Sequence, residues 1–422
     1  MTAPTIGYAG MTHLGLCSAV AAASKGFATL GFDADADLVG RLQAGRLPVV
    51  EPDLDDLLRA NKSRVAFSPD MRRLAECDLV YVAPDVPTDD QGKSDLAGLD
   101  RLLDLVLDNV KPGAVVTVLS QVPPAFTRAR QRPGRLLYYQ VETLVFGRAV
   151  ERATKPERFI VGCPDPAEPL PAVLATFLGA FGCPILPMRF ESAELCKISI
   201  NCCLVASVSV ANTLAELCER INADWSEIAP ALRLDRRIGA YSYLAPGLGL
   251  AGGNLERDLA TVLRFSEEFG TEAGVIKGFV ANSSHRRDWP LRVLHEALLR
   301  KVEKPVIAVL GLAYKENTHS VKNSPSLALI RHLAPWPLRV FDPVVAASVA
   351  PHPAVSGAKS PLEAASGADA VVIMTPWPEF RAISCSDLAR AMRGRLVLDP
   401  YAVLDRKAAR AAGLDHRTLG VA

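Results

Sequence analysis

Short, nearly continuous apolar runs recur along the chain, separated by longer stretches in which apolar residues return at helical spacing. Residues 5–9 (Thr-Ile-Gly-Tyr-Ala) predict a short buried strand, 16–24 a helix, and 27–32 a second strand that closes on Asp33. Runs 77–83, 114–119 and 159–162 predict further strands, with a helix over 96–109. Unbroken apolar strands alternating with helices are the pattern of a parallel sheet covered on both faces. Loops 84–92 and 120–124 follow the carboxyl ends of two strands, where an open α/β sheet binds its ligand. Residues 192–221 hold neither proline nor glycine and predict one long helix. Its apolar positions (Leu204, Val205, Val208, Val210, Leu214) exceed what one core-facing stripe needs, so a seam between two copies is expected. The strand pattern restarts near Lys304, with runs 305–311, 338–343, 368–375 and 395–399.

The first turn carries chemistry. Gly10, Thr12, His13, Leu14 and Gly15 lie between strand 5–9 and its helix, in the place of a dinucleotide fingerprint. Such glycines permit a tight turn and close approach of a diphosphate to the helix N-terminus. Asp33 stands where a carboxylate accepts hydrogen bonds from a ribose 2′-hydroxyl, which favours NAD over NADP. Thr12 occupies the middle-glycine position; its Cβ crowds a diphosphate, while its hydroxyl can donate to one. His13 is expected to face solvent or the phosphates.

A second glycine-rich stretch runs from 246 to 258, with Gly247, Gly249, Gly252 and Gly253 followed by Asn254, Arg257 and Asp258. It reads either as an active-site loop entering a helix over the apolar run 259–265 or as a structural turn between helices. Lys197 and Asn201, four apart on the long predicted helix, project from one face. They read either as a surface lysine with a solvated asparagine or as a functional pair.

Composition removes some classes. Hydrophobic residues make up 49% of 422, enough for a large core in two or three domains. The 47 basic and 46 acidic residues nearly cancel, which argues against nucleic-acid or polybasic membrane partners. The N-terminus lacks a basic segment followed by a long apolar one, and no apolar run approaches a membrane span, so a cytoplasmic protein without a leader or membrane contact is expected. The nine cysteines are scattered and the histidines isolated; neither a disulfide framework nor a metal site is expected.

Taken together, these motifs resemble the UDP-glucose/GDP-mannose dehydrogenase family nearly end to end. The matches are 10–15, 31–33, Glu51-Pro-Asp-Leu54, 120–124, 142–149, Lys197 with Asn201, Asp235-Arg-Arg-Ile-Gly239, the glycine stretch with Asp258, 310–315 with Thr318, Ser324-Pro325, Phe341-Asp-Pro343 and Thr375-Pro-Trp377. The resemblance implies an α/β fold with two Rossmann-like doubly wound domains joined by a long central helix. It implies an N-terminal NAD-binding domain (1–190), a central helical dimerisation domain with the glycine-rich loop (191–300), and a C-terminal nucleotide-sugar domain (301–422). It also implies NAD as cofactor, a nucleotide-sugar substrate, a UDP-sugar by expectation, and a role in polysaccharide biosynthesis. Cofactor contacts would fall on Gly10, Thr12, His13, Leu14, Gly15, Asp33, Pro87, Ser120, Gln121 and Lys322. Substrate contacts would fall on Leu144, Tyr243, Leu244, Gly249, Tyr314, Lys315 and Tyr401, with Arg237 donated across a homodimer interface. Catalysis would rest on Glu142, Lys197, Asn201, Asn254 and Asp258, with Lys197 steadying developing oxyanion charge.

The departures are as informative as the matches. Family members oxidise a sugar C6 alcohol twice, through an aldehyde, and the second step uses a cysteine thiolate in the glycine loop. Aligned on Arg257 and Asp258, this chain has Asn254 at that place, and an amide is no nucleophile. Cys202 and Cys203, next to Asn201 in sequence, are expected to point elsewhere on the helix. Gln121, Gln140, Val141, Thr143, Phe146, Ser320, Lys322, Tyr401 and Ala402 also depart from the family pattern, whereas Glu142, Lys197, Asn201 and Asp258 keep it. The expected reaction is therefore a two-electron oxidation of a sugar alcohol. The alternatives are four-electron C6 oxidation through an aldehyde hydrate, with Asp258 or Glu142 as base, an NAD-dependent epimerisation, and a non-catalytic nucleotide-sugar binder.

Overall fold

The structure, a computed structural model, describes residues 3–89 and 92–422; Asp90 and Gln91 of the predicted loop 84–92 lie outside the described residues. The chain divides into two units, residues 3–89 with 93–200, and residues 201–422 with Gly92.

The first unit is built on eight strands: β1 Ile6–Ala9, β2 Thr29–Phe32, β3 Val65–Ser68, β4 Leu79–Val82, β5 Val115–Val118, β6 Leu136–Gln140, β7 Phe159–Cys163 and β8 Ile185–Arg189. Their spatial order is β3-β2-β1-β4-β5-β6-β7-β8, parallel except where β7 runs against β6. The order reverses direction at β1, the switch point at which ligands enter such sheets. Helices α1 His13–Ser24, α2 Ala36–Gln43, α3 Leu54–Ala60, α4 Ala97–Asn109, α5 Ala149–Thr154 and α6 Ala172–Gly179 connect them. The register pairs Ile6 with Thr29 on one side and Leu79 on the other. Two apolar clusters fill the sheet's faces, one around Leu16, Val20 and Phe177 and one around Leu103, Val116 and Phe190. Alanines 19 and 21–23 let α1 lie close to the strands, buried nearly all round.

Helix α7, Phe190–Ile221, is the predicted long helix begun two residues earlier. By length and composition it could cross a membrane, which the sequence reading does not anticipate. Its polar side chains have protein partners: buried Glu194 accepts the N–H groups of Ala125 (2.7 Å) and Thr127 (2.8 Å), and Asn212 accepts that of Gly247 (2.8 Å).

The second unit continues α7 with α8 Trp225–Leu234, α9 Asn254–Phe269, α10 Gly274–Arg287 and α11 Trp289–Leu294. Asp224 caps α8 by accepting the Ser226 N–H, and its other oxygen meets Arg406 at 2.9 Å. Then comes an all-parallel sheet of β9 Ile307–Leu310, β10 Leu338–Phe341, β11 Val355–Gly357, β12 Ala370–Ile373, β13 Leu396–Leu398 and β14 Asp415–Arg417, ordered β11-β10-β9-β12-β13-β14. With β9 counted first, this repeats the order of the first six strands of the other sheet. Helix α12, Pro325–His332, packs in the same apolar cluster as β9.

Candidate active site

In the first unit β1 runs through Gly10 straight into α1. Gly10 sits at φ +94°, and a Cβ there would stand 2.8 Å from the Pro84 nitrogen. A Cβ on Gly15 would run into the carbonyl oxygen of Gly10, so α1 approaches the strand end as only a glycine allows. Leu14 is buried in the core. Asp33 lies just past β2 and accepts the Met11 N–H (2.8 Å) and the Asp35 N–H (3.0 Å). The glycine cradle, the helix N-terminus at the switch point and the carboxylate past β2 fit an adenine dinucleotide.

His13 is a correction. Its ring does not face solvent: it is buried, bonded to Glu51 Oε1 at 2.7 Å and stacked on Phe146 at 4.1 Å between centroids. Glu51, itself buried, also accepts the N–H groups of Gly147 (2.8 Å) and Ala149 (3.2 Å). The loop before α5 is thereby tied to α1. Thr12 is engaged too, its hydroxyl accepting the Asp85 N–H at 2.8 Å, while Asp85 Oδ2 accepts the His13 N–H at 3.1 Å. Ser120, buried after β5, donates to the Pro84 carbonyl at 2.5 Å; Pro87 is exposed and Gln121 half-buried.

Past β6, Glu142 meets Lys197 Nζ of α7 at 2.8 Å, with both side chains mostly buried, and also accepts the Leu144 N–H at 2.9 Å. Lys197 is thus not the solvated surface lysine that its sequence alone allows. A partly dehydrated ammonium paired with one carboxylate retains two donor directions for a substrate oxygen.

One turn further along α7, in the second unit, Asn201 donates to Asp258 Oδ2 at 2.5 Å; both residues are buried. Arg257 Nε approaches the other oxygen at 3.4 Å. Asp258 is in α9, whose first residue is Asn254; the polar residues therefore stand on the helix and not in the loop as predicted. Asn254 is exposed. Cys202 lies near enough for Asp258 to act on it: desolvation first, then that carboxylate and Cys203, push its thiol up to about 11. It is protonated at neutral pH and a poor nucleophile. Cys203 is exposed.

The glycine stretch is pinned on several sides. Asn212 holds Gly247, Ser283 Oγ accepts the Leu250 N–H at 2.8 Å, and the Lys322 carbonyl accepts the Gly252 N–H at 3.0 Å. A Cβ on Gly252 would stand 2.6 Å from the Tyr314 ring, and one on Gly253 would press on the Lys322 stem. Lys315 Nζ lies 5.6 Å from the centre of the Tyr314 ring. Burial and Glu316 push the Tyr314 hydroxyl up to about 12, and Tyr401 is raised further by burial, Glu316 and Asp399. So Gly249, Tyr314, Lys315, Lys322 and the loop form one neighbourhood. Leu244 does not join it as a side chain: it is buried with Ala211 and Trp225, and its carbonyl accepts the Trp225 indole N–H at 2.7 Å. Tyr243 is exposed, and Arg237 is an exposed residue forked onto Asp235 (Nη2 to Oδ2 2.6 Å).

Sequence reasoning gave no role to Glu51, Asp85 or Arg257. The first two meet α1 from 38 and 72 residues away, and no spacing rule signals such a contact. Arg257 adjoins Asp258 in sequence, but only its burial in the structure sets it apart from a solvated arginine.

Comparison with known proteins agrees with this layout. Three domain models of one family match in order: the NAD binding domain over 4–175, the central domain over 191–283 and the UDP binding domain over 308–406. The chain is 27% identical over 416 residues to a UDP-glucose 6-dehydrogenase of Pseudomonas aeruginosa, covering 92% of this chain and 91% of that protein. It is 28% identical to the Haloferax volcanii UDP-glucose 6-dehydrogenase AglM over 97% of this chain and 98% of that protein. The solved UDP-glucose dehydrogenase of Pyrobaculum islandicum superposes with a TM-score of 0.85 at 26% identity, covering 99% of this chain and 97% of that one. The chain belongs to the UDP-glucose/GDP-mannose dehydrogenase family and is an NAD-dependent oxidoreductase acting on nucleotide sugars.

Proposed function

We propose that this protein removes two electrons from one CH–OH of a UDP-sugar and stops at the aldehyde or ketone. The observation that carries the reading is Asn254. It is the exposed first residue of α9, where the family resemblance places the thiol that captures the aldehyde, and 246–258 holds no cysteine. The nearby thiol of Cys202 is held protonated.

NAD, when bound, accepts hydride from the sugar carbon. The chain's own residues manage the proton and the oxygen. Lys197, oriented by Glu142, steadies negative charge on the reacting oxygen. Asp258, oriented by Asn201 and Arg257, receives the hydroxyl proton directly or through a water. Tyr314, Lys315 and the glycine stretch hold the nucleotide sugar. We assign 1–190 to the cofactor, 191–300 to the central helices and 301–422 to the nucleotide, with Arg237 serving the substrate of a second copy.

The test counts NADH per sugar across UDP-, GDP- and TDP-sugars and weighs the product by mass spectrometry. One NADH per sugar and a carbonyl product are expected. Two NADH and a uronate would overturn the reading in favour of an aldehyde-hydrate route, in keeping with the 6-dehydrogenase names of the relatives. Replacing Asn254→Cys should make uronate appear.

A further inference from the structure

We propose that Asp85 is an internal competitor for the cofactor: its carboxylate holds the first turn of α1 in the place a dinucleotide diphosphate takes, and NAD must displace or neutralise it to bind. The proposal rests on NAD being the cofactor and is independent of the sugar and of the number of electrons removed.

The N-terminus of a helix offers unpaired N–H groups and a partial positive charge. Helix α1 has no acidic residue in its first turn, and Thr12 at its N-cap makes no side-chain capping bond. The cap comes instead from the loop after β4. Asp85 Oδ2 accepts the His13 N–H at 3.1 Å, and the Asp85 N–H is accepted by Thr12 Oγ1 at 2.8 Å. The two residues are stapled reciprocally, as in a capping box closed across the sheet. The His13 N–H, a first-turn group that a diphosphate would recruit, is thereby occupied by Asp85, whereas the Thr12 hydroxyl, which accepts from Asp85, keeps its own proton, 3.5 Å from the Ala83 carbonyl. Asp85 is an exposed residue, so it can swing outward.

The surroundings sharpen the competition. The His13 ring, the nearest group able to carry positive charge, is bonded to Glu51 and stacked on Phe146. Glu142, paired with Lys197, adds to the negative field at Asp85. Asp33 stands past β2, holding the Met11 N–H of the same turn. Cys17, one turn into α1, is a buried thiol raised by burial and by Glu51 and Asp85. Desolvation raises the Asp85 carboxyl above the ordinary carboxylate range, opposed by His13 and Thr12. A diphosphate alongside disfavours the ionised form further, so the bound state has the higher pKa. Binding therefore takes up a proton. NAD affinity is greatest in acid and falls as pH rises through the pKa of the free protein.

The experiment is calorimetric titration of the full chain with NAD, ADP-ribose and adenosine, over a pH series that runs upward from the ordinary carboxylate range. The wild type should lose about tenfold in NAD and ADP-ribose affinity over that range, and adenosine, which lacks the diphosphate, should lose none. Asp85→Asn should bind NAD about tenfold more tightly at the alkaline end and with a flat profile, since one repulsive charge is gone. Asp85→Ala should behave alike, which separates charge competition from capping, because asparagine keeps a cap and alanine does not. Unchanged or weaker NAD binding by the variants, an equal gain for adenosine, or no NAD binding by any form would overturn the proposal. If neither variant folds, the wild-type profiles decide alone: parallel NAD and adenosine curves would overturn it.

Discussion

The two sheets leave their first strands in the same way and then part company. Gly10 after β1 and Gly311 after β9 have φ angles of +94° and +95°. In each sheet an aspartate just past the second strand reaches back to the turn: Asp33 to the Met11 N–H (2.8 Å), and Asp342 to those of Leu312 (2.6 Å) and Ala313 (3.1 Å). Beyond that point Asp342 is consumed by its own protein, accepting also from Val344, Val345 and the Trp377 indole. Among the described residues the Asp33 carboxylate accepts from one further group, the Asp35 N–H. The first turn delivers a helix N-terminus at once, at His13, whereas α12 waits until Pro325. The intervening segment carries Tyr314, Lys315 and Lys322, and protein hydroxyls fill its turn: Ser326 donates to the Gly311 carbonyl, Ser324 to that of Leu312 and Thr375 to that of Ala313, each at 2.7 Å. One frame thus serves two purposes. A glycine turn with a clasping acid marks the topology, and only an immediate helix N-terminus makes it a place for a dinucleotide.

Four substitutions probe that difference, from the largest effect to the smallest. Gly15→Ala places a methyl against the Gly10 carbonyl, a backbone atom that cannot yield. It should cost about 3 kcal/mol or more and abolish NAD binding, read by calorimetric unfolding and by titration. An NAD affinity equal to wild type would show that α1 need not approach β1 so closely. Asp342→Ala strips an acceptor from four backbone N–H groups and an indole. It should lower stability by about 2–3 kcal/mol, against about 1 kcal/mol for Asp33→Ala. Only the Asp33 variant should lose NAD affinity; if both lose it equally, the two acids do not differ in role. Trp377→Phe removes one donor and should cost about 1 kcal/mol or less, with NAD binding untouched.

The strands at the centre of each sheet were legible because they are unbroken apolar runs; β1, β4, β5, β9 and β12 all lie within their predicted segments. The edge strands were not. β3, β8 and β11 are partly exposed, so they lack that signal. At the site, Lys197 and Asn201 were legible as a helical pair, but their partners were not, since Glu142 and Asp258 reach them only through the fold. The burial of the His13 ring was not legible for the same reason: its environment is set by Glu51, 38 residues on.

The glycine stretch acquires a different meaning from its packing. Gly249 lies against the Ser283 backbone and Gly252 against the Tyr314 ring, whereas a Cβ on Gly247 would meet only the Tyr401 ring, at 4.0 Å. At Gly249 and Gly252 the segment is a casting made against its neighbours. Such a segment divides its own evolutionary future: positions 249 and 252 are closed to any side chain, while 247 and the exposed 254 are open to trial. A new catalytic group can therefore be gained or lost at Asn254 without recasting the loop that presents it.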